Sequence, residues 1–265
     1  MSDAIFSTPT DLTGLRDKVA LVTGGASGLG RATCVALAEA GVEVVVADVA
    51  VEAGRAVASA VGGHFVECDV RTPDANAEAV AFAISRCGGL DLVHLNAGVS
   101  TGCGVGEDFS EALYRRAMSI NLDGVVFGAH VALPALRARG GGAMVATASL
   151  AGLLAMPLDP IYAANKHAVV GLTRALGPAF AVDGVRFNAV CPAFAESAII
   201  ADARADLVAA GFDIIPAETV AATVVRLLAS PDVTGECWFV QPWREPAPFR
   251  FRNVPGPGPA ERVPA

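Results

Sequence analysis

Short runs of β-branched and apolar residues alternate along the chain with longer alanine-rich stretches. Lys18–Thr23, Val42–Asp48, His64–Val70, Leu90–Asn96, Val145–Ser149, Val185–Cys191 and Glu236–Val240 read as strands. Their apolar residues mostly fall at successive positions, the mark of a strand covered on both faces. Arg31–Ala40, Ala75–Arg86 and Tyr162–Ala181 have the composition and length of crossover helices. Strands of this kind alternating with helices predict an α/β fold, a single doubly wound domain with a mainly parallel sheet flanked by helices. The expected division is an N-terminal extension over 1–15, the folded domain over 16–242 and a Pro-rich tail over 243–265. Pro246, Pro248, Pro255, Pro257 and Pro259 exclude a long helix from that tail. At least part of it is expected to dock, since Trp243, Phe249 and Phe251 would otherwise face solvent.

Composition narrows the classes of partner. The 265 residues are 53% hydrophobic and 17% charged, which excludes a disordered chain and suffices for one large core. A formal net charge of -8 with scattered arginines argues against nucleic acid, whose phosphates need clustered Lys and Arg. Met1–Lys18 has no apolar run, so no secretory signal is expected. The uncharged run Gly140–Leu158 carries glycines, Thr147, Ser149 and Pro157, and reads as a buried strand and loop instead of a membrane span. The six cysteines form no C-x-x-C pair, which suggests free thiols in a reducing cytoplasm. No metal is expected. His64 and His94 read as satisfied core residues, His130 and His167 lie on helices, and no pair has zinc spacing.

The first strand runs into Thr23-Gly24-Gly25-Ala26-Ser27-Gly28-Leu29-Gly30 and then a helix. Glycines permit a tight turn through which backbone N–H groups approach a pyrophosphate, and the helix N-terminus adds its positive dipole end. Asp48 ends the second strand, placed to accept hydrogen bonds from the adenosine ribose and to repel a 2′-phosphate, which favours NAD over NADP. Its other reading is a helix N-cap. Arg31, just past Gly30, reads as an exposed helix residue that could soften the preference. Asp69 and Val70, and then Asn96, Ala97 and Gly98, sit where the third and fourth strands end, at the adenine edge and beneath the ribose.

Tyr162 and Lys166 stand four residues apart and share a helix face, with Pro160 suited to that helix's first turn. A tyrosine of pKa ~10 is a poor base near neutrality, and a neighbouring ammonium favours the phenolate. Ser149 ends the fifth strand, placed to hold a substrate oxygen beside the phenol. Asn121 falls within a long helix, where asparagine is a poor former; a functional role or a capped kink would explain it.

Together these motifs resemble the short-chain dehydrogenase/reductase family over about residues 15 to 240. The resemblance rests on T-G-x-x-x-G-x-G at Thr23–Gly30, Asp48, N-A-G at Asn96–Gly98, and the set Asn121, Ser149, Tyr162, Lys166. It implies a Rossmann-type domain with a seven-stranded parallel sheet, and hydride transfer between NAD(P) and an alcohol or carbonyl. Tyr162 would exchange the hydroxyl proton and Ser149 would orient the oxygen. Lys166 would bind the nicotinamide ribose and lower the tyrosine pKa, and Asn121 would hold a relay water. Pro192, Ala195 and Ser197 would meet the nicotinamide end. Tyr162–Thr173 and Asn188–Phe194 look similar to 15-hydroxyprostaglandin dehydrogenases and their bacterial relatives, which implies NAD-linked oxidation of a secondary alcohol. A homo-dimer or homo-tetramer through the helices around 110–138 and 160–181 is also implied.

The chain departs from the family in places. Ala193 replaces a glycine, Asn165 stands where serine is common, and Gln241-Pro242-Trp243 replaces D-G-G. A left-handed backbone at Ala193 would cost ~1 kcal/mol or more. Leu150, Leu153, Met156, Leu158, Phe194, Ile199, Ile200 and Phe212 are candidates for an apolar pocket that takes a small hydrophobic alcohol or ketone. Three rivals remain: a cofactor-binding sensor or scaffold without turnover, a nucleotide-sugar epimerase or dehydratase, and an NADP-linked reductase. An intact Asn121-Ser149-Tyr162-Lys166 set, the chain length and Asp48 disfavour them in turn.

Overall fold

The structure is a computed structural model that describes residues 6, 7 and 10–252. Pro255, Pro257 and Pro259 lie outside the described residues. In chain order the elements are β1 (Val19–Thr23), α1 (Gly28–Glu39), β2 (Glu43–Asp48), α2 (Val51–Ala60), β3 (His64–Glu67), α3 (Pro73–Cys87), β4 (Leu92–Leu95), α4 (Glu111–Met118), α5 (Gly124–Ala138), β5 (Gly142–Thr147), α6 (Pro160–Ala181), β6 (Val185–Pro192), α7 (Arg204–Ala209), α8 (Ala217–Ala229), β7 (Cys237–Gln241) and β8 (Arg244–Pro248).

One sheet of eight strands runs in the order β3-β2-β1-β4-β5-β6-β7-β8. The chain winds outward from β1 to β3, then returns to β4 on the other side of β1. The carboxyl ends of β1 and β4 therefore open a crevice where ligands bind in folds of this kind. One sheet face packs Leu21, Val93, Met144 and Phe187 beneath α3, α5 and α6. The other packs Val22, Val46, Val145 and Val190 beneath α1, α2 and α8. Every one of these strand residues is buried, as expected of strands covered on both sides.

The expected seven parallel strands are joined by an eighth. β8 pairs antiparallel with β7 and lies in the segment read from sequence as a tail. Pro246 and Pro248 fit there because β8 is the sheet edge, where a missing N–H costs no ladder bond. Trp243 is a correction to the docking expectation: it is 92% exposed at the β7–β8 turn with φ 59°. Phe251 does pack, under the Arg174 guanidinium 4.0 Å from its ring centre. A second correction concerns β3, which ends at Glu67 and leaves Cys68, Asp69 and Val70 in the following loop.

The helix around Asn121 is not continuous. A π-helical turn, Ser119–Asp123, separates α4 from α5. Glu111–Ala138 as a whole is long and apolar enough to cross a membrane. Here Val125, Ala129, Ala132 and Leu136, at helical spacing along α5, are buried in the core against the sheet.

Asp91, just before β4, ties the amino ends of the strands together. Its carboxylate accepts from the Val19 N–H at 3.0 Å, Lys18 Nζ at 3.4 Å and Arg139 Nε at 3.2 Å. Burial pushes this carboxyl up, but the Val19 N–H and the two cations together hold it below its ordinary 3.8. Asp91→Asn is expected to lower unfolding free energy by about 1–3 kcal/mol in urea titrations at pH 7. The Asp91 contribution is complete above pH 3.8, the ordinary carboxyl value, and disappears as pH falls through the lower folded pKa. A urea series across the acid range reads that loss directly.

Candidate active site

The turn from β1 into α1 admits little besides glycine at two points. Gly24 has φ 63°, and a Cβ there would stand 2.9 Å from Ala97 Cα. At Gly30 a Cβ would fall 2.1 Å from the Gly24 carbonyl oxygen. Ser27, the N-cap of α1, makes no side-chain cap hydrogen bond. The first-turn N–H groups are thus left to an outside acceptor, which suits the pyrophosphate of a dinucleotide.

Asp48 closes one end of this turn. One carboxylate oxygen accepts from the Ala26 N–H at 2.9 Å and the other from the Ala50 N–H at 2.9 Å. The cap of α2 is Ala50, without a side-chain bond, so the N-cap alternative for Asp48 does not hold. Arg31 is exposed and does not line the cavity. Asp69 pairs with Arg71, and Val70 lies beside it on the cavity wall.

Behind the turn, Asn96 orders three strand ends. Its Nδ2 donates to the Thr23 and Gly24 carbonyls at 3.1 and 3.3 Å, and its Oδ1 accepts from Thr147 Oγ1 at 3.1 Å. Asn121 is fully buried in the π-helical turn. It grips the loop after Gly98, accepting from the Val99 N–H at 2.8 Å and donating to the Val99 carbonyl at 2.9 Å. That explains an asparagine in a helical run: an interrupted helix frees it to tether a loop.

Tyr162 and Lys166 stand at the start of α6. Asp159, which sequence reading missed, is its N-cap: one oxygen accepts from the Tyr162 N–H at 2.9 Å, the other from the Thr101 N–H at 3.0 Å. An Asp followed by Pro at the first helical position was a legible start signal. Lys166 is fully buried, and its Nζ donates to the Thr147 carbonyl at 2.7 Å. Nζ sits 5.5 Å from the Tyr162 ring centre. Burial pulls Lys166 down to about 8 and pushes the Tyr162 phenol up to about 12, against a hydrogen bond with Ser149 that acts the other way. The protein's own groups therefore keep the phenol protonated near neutrality, where sequence reasoning stressed the lowering effect of Lys166. Ser149 Oγ lies at the end of β5 and donates to the Pro192 carbonyl at 3.4 Å.

All these groups border one cavity of about 600 Å³. Gly24, Ser27, Gly28, Leu29, Asp48, Asp69 and Val70 line one part, Ser149, Tyr162, Lys166, Pro192 and Ala195 another, and Ser197 lies against Gly28. Asn96, Ala97 and Gly98 lie between. Gly30 and Asn121 support the walls without lining them. Of the apolar candidates, Leu150, Met156, Leu158, Phe194, Ile199 and Ile200 face the cavity, and Leu154 and Leu207, not anticipated, join them. Leu153 packs against the core instead, and Phe212 lies edge-on behind Phe194 at 5.2 Å. Ala193 is not among the described residues with positive φ, so its methyl carries no left-handed strain. At the other end of the sheet, Glu43, His64 and Cys87 bring ligand-type atoms within 4.8 Å of one another from three separate elements, a grouping that sequence spacing does not reveal.

The family model for short chain dehydrogenase matches residues 18–208. The chain belongs to the short-chain dehydrogenase/reductase family. Cyclohexanol dehydrogenase of an Acinetobacter species is 40% identical over 191 residues, covering 70% of this chain and 76% of that protein. Human 15-hydroxyprostaglandin dehydrogenase [NAD(+)] is 34% identical over 195 residues, covering 69% and 70%. The crystal structure of levodione reductase superposes with a TM-score of 0.79 at 30% identity, covering 85% of this chain and 96% of that one. As a short-chain dehydrogenase/reductase the protein is an oxidoreductase acting on CH–OH groups with a nicotinamide cofactor. The uncapped α1 terminus and the glycine turn fit that cofactor's phosphates.

Removing the α6 cap tests how the helix is held. Asp159→Ala is expected to cost about 1–2 kcal/mol in denaturant unfolding. Asp159→Ser, which can still cap Tyr162, should recover a good part of that loss.

Proposed function

We propose that this protein is an NAD-dependent dehydrogenase of hydrophobic, alicyclic secondary alcohols and the corresponding ketones. One observation carries the reading: a single cavity has Asp48 at one end and the Ser149, Tyr162, Lys166 group at the other, beside an apolar wall. Asp48 offers a carboxylate to the adenosine ribose and repels a 2′-phosphate, and Arg31 lies outside the cavity. The wall of Leu150, Leu154, Met156, Leu158 and Phe194 suits a ring of methylenes, as in the substrate named for the cyclohexanol relative.

In the mechanism, Ser149 Oγ orients the substrate oxygen and the Tyr162 hydroxyl exchanges a proton with it. Oxidation of the alcohol moves its hydroxyl proton to the Tyr162 phenolate; reduction of the ketone returns a proton from the phenol to the carbonyl oxygen. A bound nicotinamide would supply the hydride acceptor or donor and, when oxidised, a positive charge that favours the phenolate. Lys166 contributes its own positive charge from 5.5 Å and stands ready for the nicotinamide ribose hydroxyls. Asn121, through its clasp on Val99, holds the wall beneath the cofactor in place. The dehydrogenase is expected to work as a homo-dimer or homo-tetramer through α4, α5 and α6, a reading supported by the apolar residues of Glu111–Ala138 that one chain leaves unburied, such as Val126. The free thiols among the described cysteines suit a cytoplasmic setting.

Fluorescence titration should show NADH binding at least about tenfold more tightly than NADPH. Asp48→Ala should weaken NADH by about tenfold, about 1.4 kcal/mol, and leave NADPH little changed. Equal affinities for both cofactors in the unmodified protein would remove the ribose assignment. With cyclohexanol and cyclohexanone as probes, the pH dependence has a definite sign. Because burial holds the phenol up near 12, ketone reduction should proceed at neutral pH, while kcat/KM for alcohol oxidation should rise as pH increases.

A further inference from the structure

His94 is a fully buried histidine in the middle of β4, paired in register with Val22 of β1 and Val145 of β5. Its Nε2 lies 2.9 Å from Thr147 Oγ1, and its Nδ1 has no hydrogen-bond partner. Sequence reading took it for a satisfied core residue, and half of that expectation fails. The neighbours decide which nitrogen carries the proton. Asn96 Nδ2 is committed to two carbonyls, so its Oδ1 must accept, and the Thr147 hydroxyl proton goes to it. The Thr147 oxygen is then left to accept, and His94 must donate from Nε2–H. The bare Nδ1 is a buried acceptor without compensation, a cost that an apolar residue at the same place would not carry.

What the imidazole gains is hold over Thr147. Thr147 has two roles at the end of β5: its carbonyl accepts from Lys166 Nζ at 2.7 Å, and its hydroxyl joins Asn96 to the glycine turn. We propose that His94 is a positioning residue for Lys166: by clamping the Thr147 side chain it fixes the carbonyl that holds the ammonium, and through Asn96 it ties that carbonyl to the cofactor turn. Burial pulls His94 down to about 3, so it stays neutral at working pH and acts as a hydrogen-bond donor instead of a proton carrier. The inference rests on the dehydrogenase reading only in giving Lys166 a purpose; the contact itself is independent of turnover.

The composition makes the test direct, because the chain has only two lysines, Lys18 and Lys166. With 13C at lysine Cε, NMR of the intact protein yields two signals, one from the half-buried Lys18 beside Asp91 and one from the buried Lys166. The groups closest to Lys166 that titrate are both held protonated through this range, Tyr162 by burial and Cys191 by its hydrogen bond with Cys237 and then by burial. The Lys166 midpoint, placed near 8 by burial, therefore reports on its carbonyl partner. In His94→Val the midpoint should fall by about half a unit or more, because a looser carbonyl stabilises the ammonium less. In His94→Gln, whose amide can donate from the same place, it should return toward the unmodified value. A Lys166 midpoint identical in all three proteins, with only thermal stability reduced, would overturn the proposal. So would equal shifts in Val and Gln variants. Turnover of cyclohexanol is read separately on the unmodified protein, so failure of the dehydrogenase reading stays distinguishable.

Discussion

A cation buried without a carboxylate partner is the constraint around which this site is organised. Lys166 is 1% exposed, and no salt bridge to it exists among the described residues. Taking an ammonium out of water is costly, and only well-placed acceptors offset it. The Thr147 carbonyl is one, which explains why the end of β5 is braced by Asn96 and His94. Tyr162, half-buried, stands one helical turn earlier on α6, so both groups depend on the phase of that helix. Asp159 sets the phase by capping the Tyr162 N–H while also holding the Thr101 N–H. An acid that stays protonated beside a cation that resists full charging is suited to exchanging a proton with a substrate oxygen.

The fold was largely legible because its signals are local. Successive apolar residues announced buried strands, and the glycine run with Asp48 announced a strand-to-helix turn. Element ends were read less well. β3 stops at Glu67 because the chain must leave the sheet for Cys68, Asp69 and Val70 to face the crevice, and nothing in the apolar pattern marks that exit. The edge strand β8 was hidden for a different reason. Its prolines signal irregular chain, and only the knowledge that β7 leaves an open edge makes them acceptable there.

The site was legible where chemistry is carried by residue type and spacing, as with Tyr162 and Lys166, and hidden where it depends on tertiary contact. Asn121 stood out as a poor helix former, yet its grip on Val99 requires the π-helical turn to be seen. His94 offered no signal at all, since a histidine in an apolar strand reads the same whether or not it meets a threonine on the neighbouring strand. The worry over Ala193 dissolves because its backbone is not left-handed. Asn165 turns back onto the Ile161 carbonyl at 2.9 Å and leaves its own oxygen without a partner; nothing in the structure explains that choice.

Tyr162→Phe removes the phenol oxygen proposed to exchange the proton and leaves the ring in place. Steady-state oxidation of cyclohexanol with NAD is to be set beside an NADH fluorescence titration of the same preparation. Turnover should fall by about 10²–10⁴-fold while NADH affinity stays within about threefold. Turnover within a few-fold of the unmodified enzyme would rule out Tyr162 as the proton carrier.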